Sequence, residues 1–134
     1  MKKVKGKTIA IVGLGKSYAD YVSARINSHK FDEVWGINSI GAIIYVDKTF
    51  MMDPVSRFLD TENAGTQTGI ARDFLKNNKK PIVTCQLDDR ISYLELFPLK
   101  EVATDLGYCY FNNTVAYAMA YAIWGKVEKI CLYG

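Results

Sequence analysis

"TIAIVGLGKSYADYV", Thr8 to Val22, is the stretch that decides the fold class. Thr8–Val12 is a short apolar, β-branched run of strand length. Gly13 and Gly15 then punctuate the chain, and Ser17–Ser28 reads as a helix with Tyr18, Tyr21, Val22, Ala24 and Arg25 spread round it. A strand that turns through glycines into a helix opens a parallel α/β unit, and such turns can present backbone N–H groups to an anion.

Outward from this turn, strand-length and helix-length segments alternate. Asp32–Asn38 ("DEVWGIN") reads as strand two, and "SIGAIIYV" after it as a short buried helix or turn. Lys48–Asp53 ("KTFMMD") reads as strand three, ending in an acid, and Pro54 opens a short helix at no hydrogen-bonding cost. The polar, small-residue stretch Thr61–Gly69 is expected to be a mobile loop and a lid. "IARDFLKNN" is an amphipathic helix, and Pro81–Cys85 is strand four. "PLKEVATDLG" is a helix with Gly107 as its C-cap, and "YCYFN" (Tyr108–Asn112) reads as a fifth short strand. A helix opened by Asn113 or Thr114 and stopped at Gly125 leads into strand six, "KICLYG". The alternation predicts an α/β fold: a three-layer, Rossmann-like sheet, mostly parallel, of about six strands with helices on both faces. Residues 1–134 form one domain in this reading.

Composition narrows the class. The chain has 134 residues, 49% of them hydrophobic, with a net charge of +3, which suits one domain with a real core and an ordinary surface. Much of the positive excess lies in "MKKVKGK", read as a solvated leader rather than a nucleic-acid patch. No apolar run approaches the roughly 18 residues of a membrane span, and no separate apolar region with a cleavage site follows the basic start. A cytoplasmic location is expected. Cys85, Cys109 and Cys131 are widely spaced in strand-like stretches, and His29 is the only histidine. No metal site or disulfide framework follows from that pattern, so the cysteines are expected to be reduced and in the core.

The helix before strand six is apolar all round, unlike a surface helix. Either it lies between the sheet and another layer, or Tyr117, Tyr121 and Trp124 form a self-association stripe for a homodimer. Strand six brings the sequence to the carboxyl edge of the sheet, where such folds place ligands. Any site residues that a longer relative carries after that strand are expected to be missing.

Two standard phosphate motifs fail at the glycine turn. The dinucleotide fingerprint G-x-G-x-x-G needs glycine where Tyr18 stands, and an acid at the end of strand two where Asn38 stands. The P-loop G-x-x-x-x-G-K-S/T needs glycine where Ala10 lies inside the strand. What survives is strand–G-x-G-x-S–helix, with Gly13 and Gly15 suited to positive φ and close backbone approach. Ser17 is expected to cap the helix, with the amides from Gly13, Leu14, Gly15 and Lys16 facing an anion and Lys16 adding a cation. The competing reading is a plain tight turn.

Other polar residues fall at neighbouring strand ends. Asn38 offers a donor and an acceptor for ribose or base edges, and Asp53 could hold a ribose hydroxyl or assist a leaving group. Asp53 is the one candidate for catalysis; its alternative is a cap for the helix after Pro54. Asn112, Asn113 and Thr114 form a second polar cluster, either ligand-binding or a routine helix cap. Asp88, Asp89 and Arg90 fit a solvated turn better than a metal or cation site.

This order of features resembles the nucleotide-binding half of bacterial sialyltransferase-like proteins and is similar to archaeal-type 6-hydroxymethylpterin pyrophosphokinase domains. "VWGIN", "FMMD" and "YFNNTVAYAMAYAI…KICLYG" resemble, in that order and over nearly the full length, uncharacterised Rossmann-like proteins of bacteriophages. The resemblance implies phosphate at Gly13, Gly15 and Ser17, ribose or base at Asn38, and Asp53 beside them. It also implies a host-cytoplasmic location. A histidine expected as base in the sialyltransferase-like enzymes has no counterpart, since His29 lies at the far end of the first helix. Tyr108, Tyr110 or an acid would have to substitute.

The function expected is binding of a nucleotide or nucleotide-sugar at the glycine turn, with a minimal glycosyl or phosphoryl transferase as the catalytic form. The alternatives are a non-catalytic phage protein that sequesters a host nucleotide or nucleotide signal, and a structural or oligomerisation module. Gly15→Val is expected to abolish ligand binding while leaving the fold largely intact.

Overall fold

Strands that are apolar on both sides have to be covered on both sides. Ile9 and Ile11 point one way from the first strand and Ala10 and Val12 the other, and all four are at most 1% exposed. In the computed structural model, which describes residues 4–134, they form β1 (Thr8–Val12). It is followed by α1 (Tyr18–Ile26), β2 (Glu33–Ile37), a 3-10 turn (Asn38–Ala42) and β3 (Lys48–Phe50). Next come α2 (Ser56–Leu59), α3 (Thr68–Asn77), β4 (Ile82–Thr84), β5 (Leu94–Leu96), α4 (Leu99–Leu106), α5 (Thr114–Trp124) and β6 (Lys129–Tyr133).

The six strands form one sheet in the order β5-β4-β3-β2-β1-β6, and every neighbouring pair is parallel. Tyr21 of α1 and Ile40 of the 3-10 turn pack with Ala10, Val12 and Val34 on one face. Phe58 of α2 and Phe74 and Leu75 of α3 extend that face over Met51 and Ile82. On the opposite face, Val102 of α4 and Ala118, Tyr121 and Ala122 of α5 cover Ile9, Ile11, Trp35, Ile37, Phe50 and Val83. The result is the three-layer, Rossmann-like α/β arrangement that the sequence predicts.

The face under α5 is built on aromatic contacts. Tyr121 meets Trp35 and Phe50 edge-on, with ring centroids 5.6 and 5.3 Å away. Ala118 and Ala122, both fully buried, let the helix lie close to the sheet. Burial raises the Tyr121 phenol above its ordinary pKa. Trp35 is 0% exposed, and its indole Nε1–H is satisfied by the Glu33 carboxylate at 2.7 Å. Burial pushes Glu33 up, but hydrogen bonds from Lys7 and Trp35 outweigh it and hold this carboxyl below its usual range.

The same packing gives each member of the aromatic stripe a contact within the chain. Tyr121 is in the core, Tyr117 meets Phe97 edge-on with ring centroids 5.1 Å apart, and Trp124 donates its Nε1–H to Asp105 of α4 at 2.6 Å. A helix between a sheet and a neighbouring helix has few directions left for polar residues, hence its all-round apolar sequence.

Three expectations are corrected. The fifth strand is Leu94–Leu96, paired with Ile82–Thr84, and Tyr108–Asn112 is an irregular connection between α4 and α5. No helix separates β4 from β5, so the usual sign of a parallel crossover is missing there. The cysteines are not core residues: Cys85 and Cys109 are exposed and Cys131 is half-buried. Cys85 lies just past β4, Cys109 in the irregular connection, and Cys131 on an edge strand. Strand three ends at Phe50 rather than Asp53, although the Met51 amide still donates to the Val83 carbonyl at 2.9 Å.

Truncating the aromatic centre tests this packing. Phe50→Ala should cost about 3–5 kcal/mol, read as a shift of the urea midpoint with the m-value unchanged. A loss below about 1 kcal/mol would mean that Tyr121 and Trp35 do not rest on Phe50.

Candidate functional site

The carboxyl ends of β1, β2 and β3 open onto a cleft in two chambers. The larger, about 420 Å³, is lined by Asn38, Met52, Asp53, Phe111, Asn112, Asn113, Thr114 and Tyr117 together with Ile37 and Val115. The smaller, about 240 Å³, lies between Leu14 of the glycine turn, Ser39, Arg57, Phe58 and the loop Ala64–Gln67. Asn38 and Asp53 belong to both and form the divide. The structure thus brings Asn38, Asp53, Asn112, Asn113 and Thr114 together, as their places at strand ends predict. Of the glycine turn, only Leu14 reaches the cleft.

Asn38 is the most unusual residue in it. Its φ is +54°, a left-handed conformation that among non-glycine residues Asn adopts most readily. The side-chain Oδ1 is buried and has no hydrogen-bond partner. Ser39, 1% exposed, likewise has a buried hydroxyl without a partner. Buried polar groups are nearly always paired, because leaving one unpaired costs about 1–3 kcal/mol. Thr49 and Thr84 also carry buried, unpaired hydroxyls, but neither lines a chamber.

Asn113 caps α5. Its backbone is extended, at φ −158°, and its Oδ1 accepts the Ala116 amide at 2.8 Å. The routine capping role is therefore filled, and the Thr114 and Val115 amides, on residues that line the larger chamber, have no backbone partner among the described residues. Asp53 does not cap α2, which starts with no side-chain hydrogen bond. Instead Asp53 Oδ1 accepts from Arg57 Nη1 at 2.9 Å across one helical turn. Arg57 and Ser39 escape the sequence reading. The Asp53 to Arg57 spacing, typical of helical ion pairs, is the signal that could have found Arg57.

The glycine turn differs from expectation in four respects. Ser17 makes no capping bond; its hydroxyl accepts the Gly134 amide at 2.8 Å. The first turn of α1 closes through tight bonds from Tyr18 to Gly15 and from Asp20 to Ser17, 3.0 Å each. Gly13 and Gly15 have no positive φ; the glycines are needed for close approach. A Cβ on Gly15 would lie 2.6 Å from the Gly134 carbonyl carbon, so Gly15→Val would disturb the fold and is not the clean test expected. The Gly13 amide, expected to face an anion, instead donates to the Tyr133 carbonyl at 2.8 Å, whereas the amides of Leu14, Gly15, Lys16 and Ser17 make no backbone hydrogen bond among the described residues.

The Thr61–Gly69 loop is tied at its base. Arg72 donates to the Phe58 and Thr61 carbonyls at 2.9 and 2.7 Å, and the Thr68 hydroxyl donates to Gly65 at 2.6 Å. Asp88 and Arg90 lie outside the cleft. Arg90 forks onto both oxygens of Asp60 and onto Asp88, at 2.6–3.0 Å, clamping the β4–β5 connection to the end of α2. No group of three or more potential metal ligands occurs among the described residues, and no helix there is long and apolar enough to cross a membrane. His29 lies beyond the end of α1, exposed and outside both chambers. Comparison of the chain with protein-family models, curated proteins and solved structures finds no match.

The Arg90 clamp predicts acid sensitivity. The side-chain hydrogen bond from Arg90 holds Asp88 down at about 2, against an ordinary value of 3.8. A depressed carboxyl pKa gives stability that is complete above pH 3.8 and lost as pH falls through about 2. The melting temperature of the wild type should therefore fall more steeply than that of Asp88→Asn across this window. Parallel curves would show that Asp88 has no special partner in the fold.

Proposed function

We propose that this chain binds a nucleotide or nucleotide-sugar in the two-chamber cleft. The observation that carries the reading is Asn38: a left-handed backbone and a buried, unpaired amide oxygen on a half-buried residue in the wall shared by both chambers. Strain and orphaned polar groups of this kind cluster where a ligand completes the structure. A sugar hydroxyl satisfies the amide, since it both donates and accepts, and the Asp53 carboxylate beside it can accept from a second hydroxyl. Phe111 and Tyr117, 5.1 Å apart between ring centres, offer an aromatic wall for a flat base. Both chambers together have the volume of a small-ligand site.

Binding without strong acid–base chemistry is the form the cleft favours. Asp53 is the only carboxylate among the described residues that lines it, and it is engaged by Arg57. Any transfer reaction would depend on orientation and on anion stabilisation by amides and Arg57. Sequestration of a nucleotide fits the same arrangement with no reaction at all. The phage resemblance is consistent with either.

Thermal shift with a panel of nucleoside mono- and diphosphates, nucleotide-sugars and dinucleotides tests this. A ligand at 100-fold excess over its Kd should add about 2.7 kcal/mol. Asn38→Gly keeps the left-handed backbone, removes the amide, and should abolish the shift with little change in the unliganded midpoint. A panel in which nothing shifts the wild type, or in which Asn38→Gly shifts equally, contradicts the proposal.

A further inference from the structure

The smaller chamber points to a charged group on the ligand; this rests on the binding reading above and extends it. We infer that the space between Leu14, Ser39 and Arg57 is an anion subsite that takes the phosphoryl end of the ligand. Among the described residues, Arg57 is the only cationic side chain that lines it. Its ion pair with Asp53 is half-exposed, 53% and 44% for the two side chains, and pairs of that kind add at most about 1 kcal/mol to stability. What the pair does supply is position. Asp53 engages Nη1 alone, so Nε and Nη2 are left to donate to an oxyanion in fork geometry.

Ser39 is the independent sign that something belongs there. The residue, 1% exposed, stands on the wall of this chamber, and its buried hydroxyl has no partner to donate to or accept from. A phosphoryl oxygen accepts from a hydroxyl and from a guanidinium alike. The third wall is Leu14, whose amide has no backbone partner. These donors all carry positive potential, and Arg57 offsets the one negative group, Asp53.

Volume assigns the ends of the ligand. The chamber beside Arg57 is the smaller, about 240 against 420 Å³, and suits the compact phosphoryl end, which leaves the larger one for the rest of the ligand. The sugar then lies at the Asn38–Asp53 divide and the base in the larger chamber against Phe111. Arg57 is thus a binding residue for the phosphate, and Asp53 a positioning residue for Arg57.

Calorimetric titration separates the two chambers. The probes are nucleosides, their diphosphates and inorganic pyrophosphate, against wild type, Arg57→Gln, Arg57→Lys, Ser39→Ala and the distant control Lys100→Gln. The expected result is a diphosphate bound tenfold or more tightly than its nucleoside. Arg57→Gln should erase that difference while leaving nucleoside affinity unchanged, Arg57→Lys and Ser39→Ala should reduce it in part, and Lys100→Gln should leave it intact. Diphosphate affinity unchanged in Arg57→Gln, with nucleoside binding retained, overturns the anion subsite and spares the binding reading. Arg57-dependent pyrophosphate binding without nucleoside binding supports the subsite and overturns the nucleotide reading. No binding of any probe overturns both. Circular dichroism melts within 2 °C of each other, about the shift of 0.5 kcal/mol or less in a domain of this size, check that the variants fold.

Discussion

Tyr121 pressed against Trp35 and Phe50 is the contact on which the architecture rests. It draws helix residues 114–124 across three strands and so decides where that helix begins. Each large aromatic contributes about 1.5–3 kcal/mol on burial, with about 0.5–1.5 more from each edge-on pair. Because helices that precede a parallel strand run opposite to it, the start of α5 comes to lie at the carboxyl ends of the sheet. Asn113 and Thr114 reach the cleft for that reason, although they are distant in sequence from Asn38 and Asp53.

The cleft is a place where folding leaves local preferences unmet. A chain optimised for stability alone would pair the Asn38 amide and the Ser39 hydroxyl or replace them with apolar side chains. It would also avoid a left-handed residue at the end of β2 other than glycine. Three such features fall within two adjacent residues, Asn38 on the wall of both chambers and Ser39 on that of the smaller one, and concentrate the strain where a ligand can relieve it. The surrounding sheet, with fully buried residues on both faces, is rigid enough to hold that conformation.

Much of this was legible in the sequence because it follows from strand ends and periodicity. The order of the elements, the parallel sheet, the Gly107 cap with φ +68° and the Asn113 cap all come from short local patterns. The convergence of Asn38, Asp53 and Asn112–Thr114 follows from parallel topology, which gathers every strand's carboxyl end on one edge. What failed depends on distant partners. Ser17 looked like a cap, but its hydroxyl serves Gly134, more than a hundred residues away in sequence. Gly13 and Gly15 looked like a loop made for a ligand, but they first accommodate the backbone at Gly134. β5 was hidden by having no helix before it, and the cysteines by strand-like neighbours that the fold leaves at ends and edges. Ser39 carries no local signature of a site and Arg57 only its spacing from Asp53; the fold alone puts both beside Leu14.

The claim that matters most is that the amide of Asn38 waits for a partner from outside the chain. A crystal structure of the protein grown with a saturating nucleoside diphosphate tests it at the atom concerned. The account predicts Asn38 in its left-handed conformation, its amide within hydrogen-bonding distance of a sugar hydroxyl, and the phosphates beside Arg57. An Asn38 amide satisfied by another residue of the same chain, with the ligand elsewhere or absent, would contradict it.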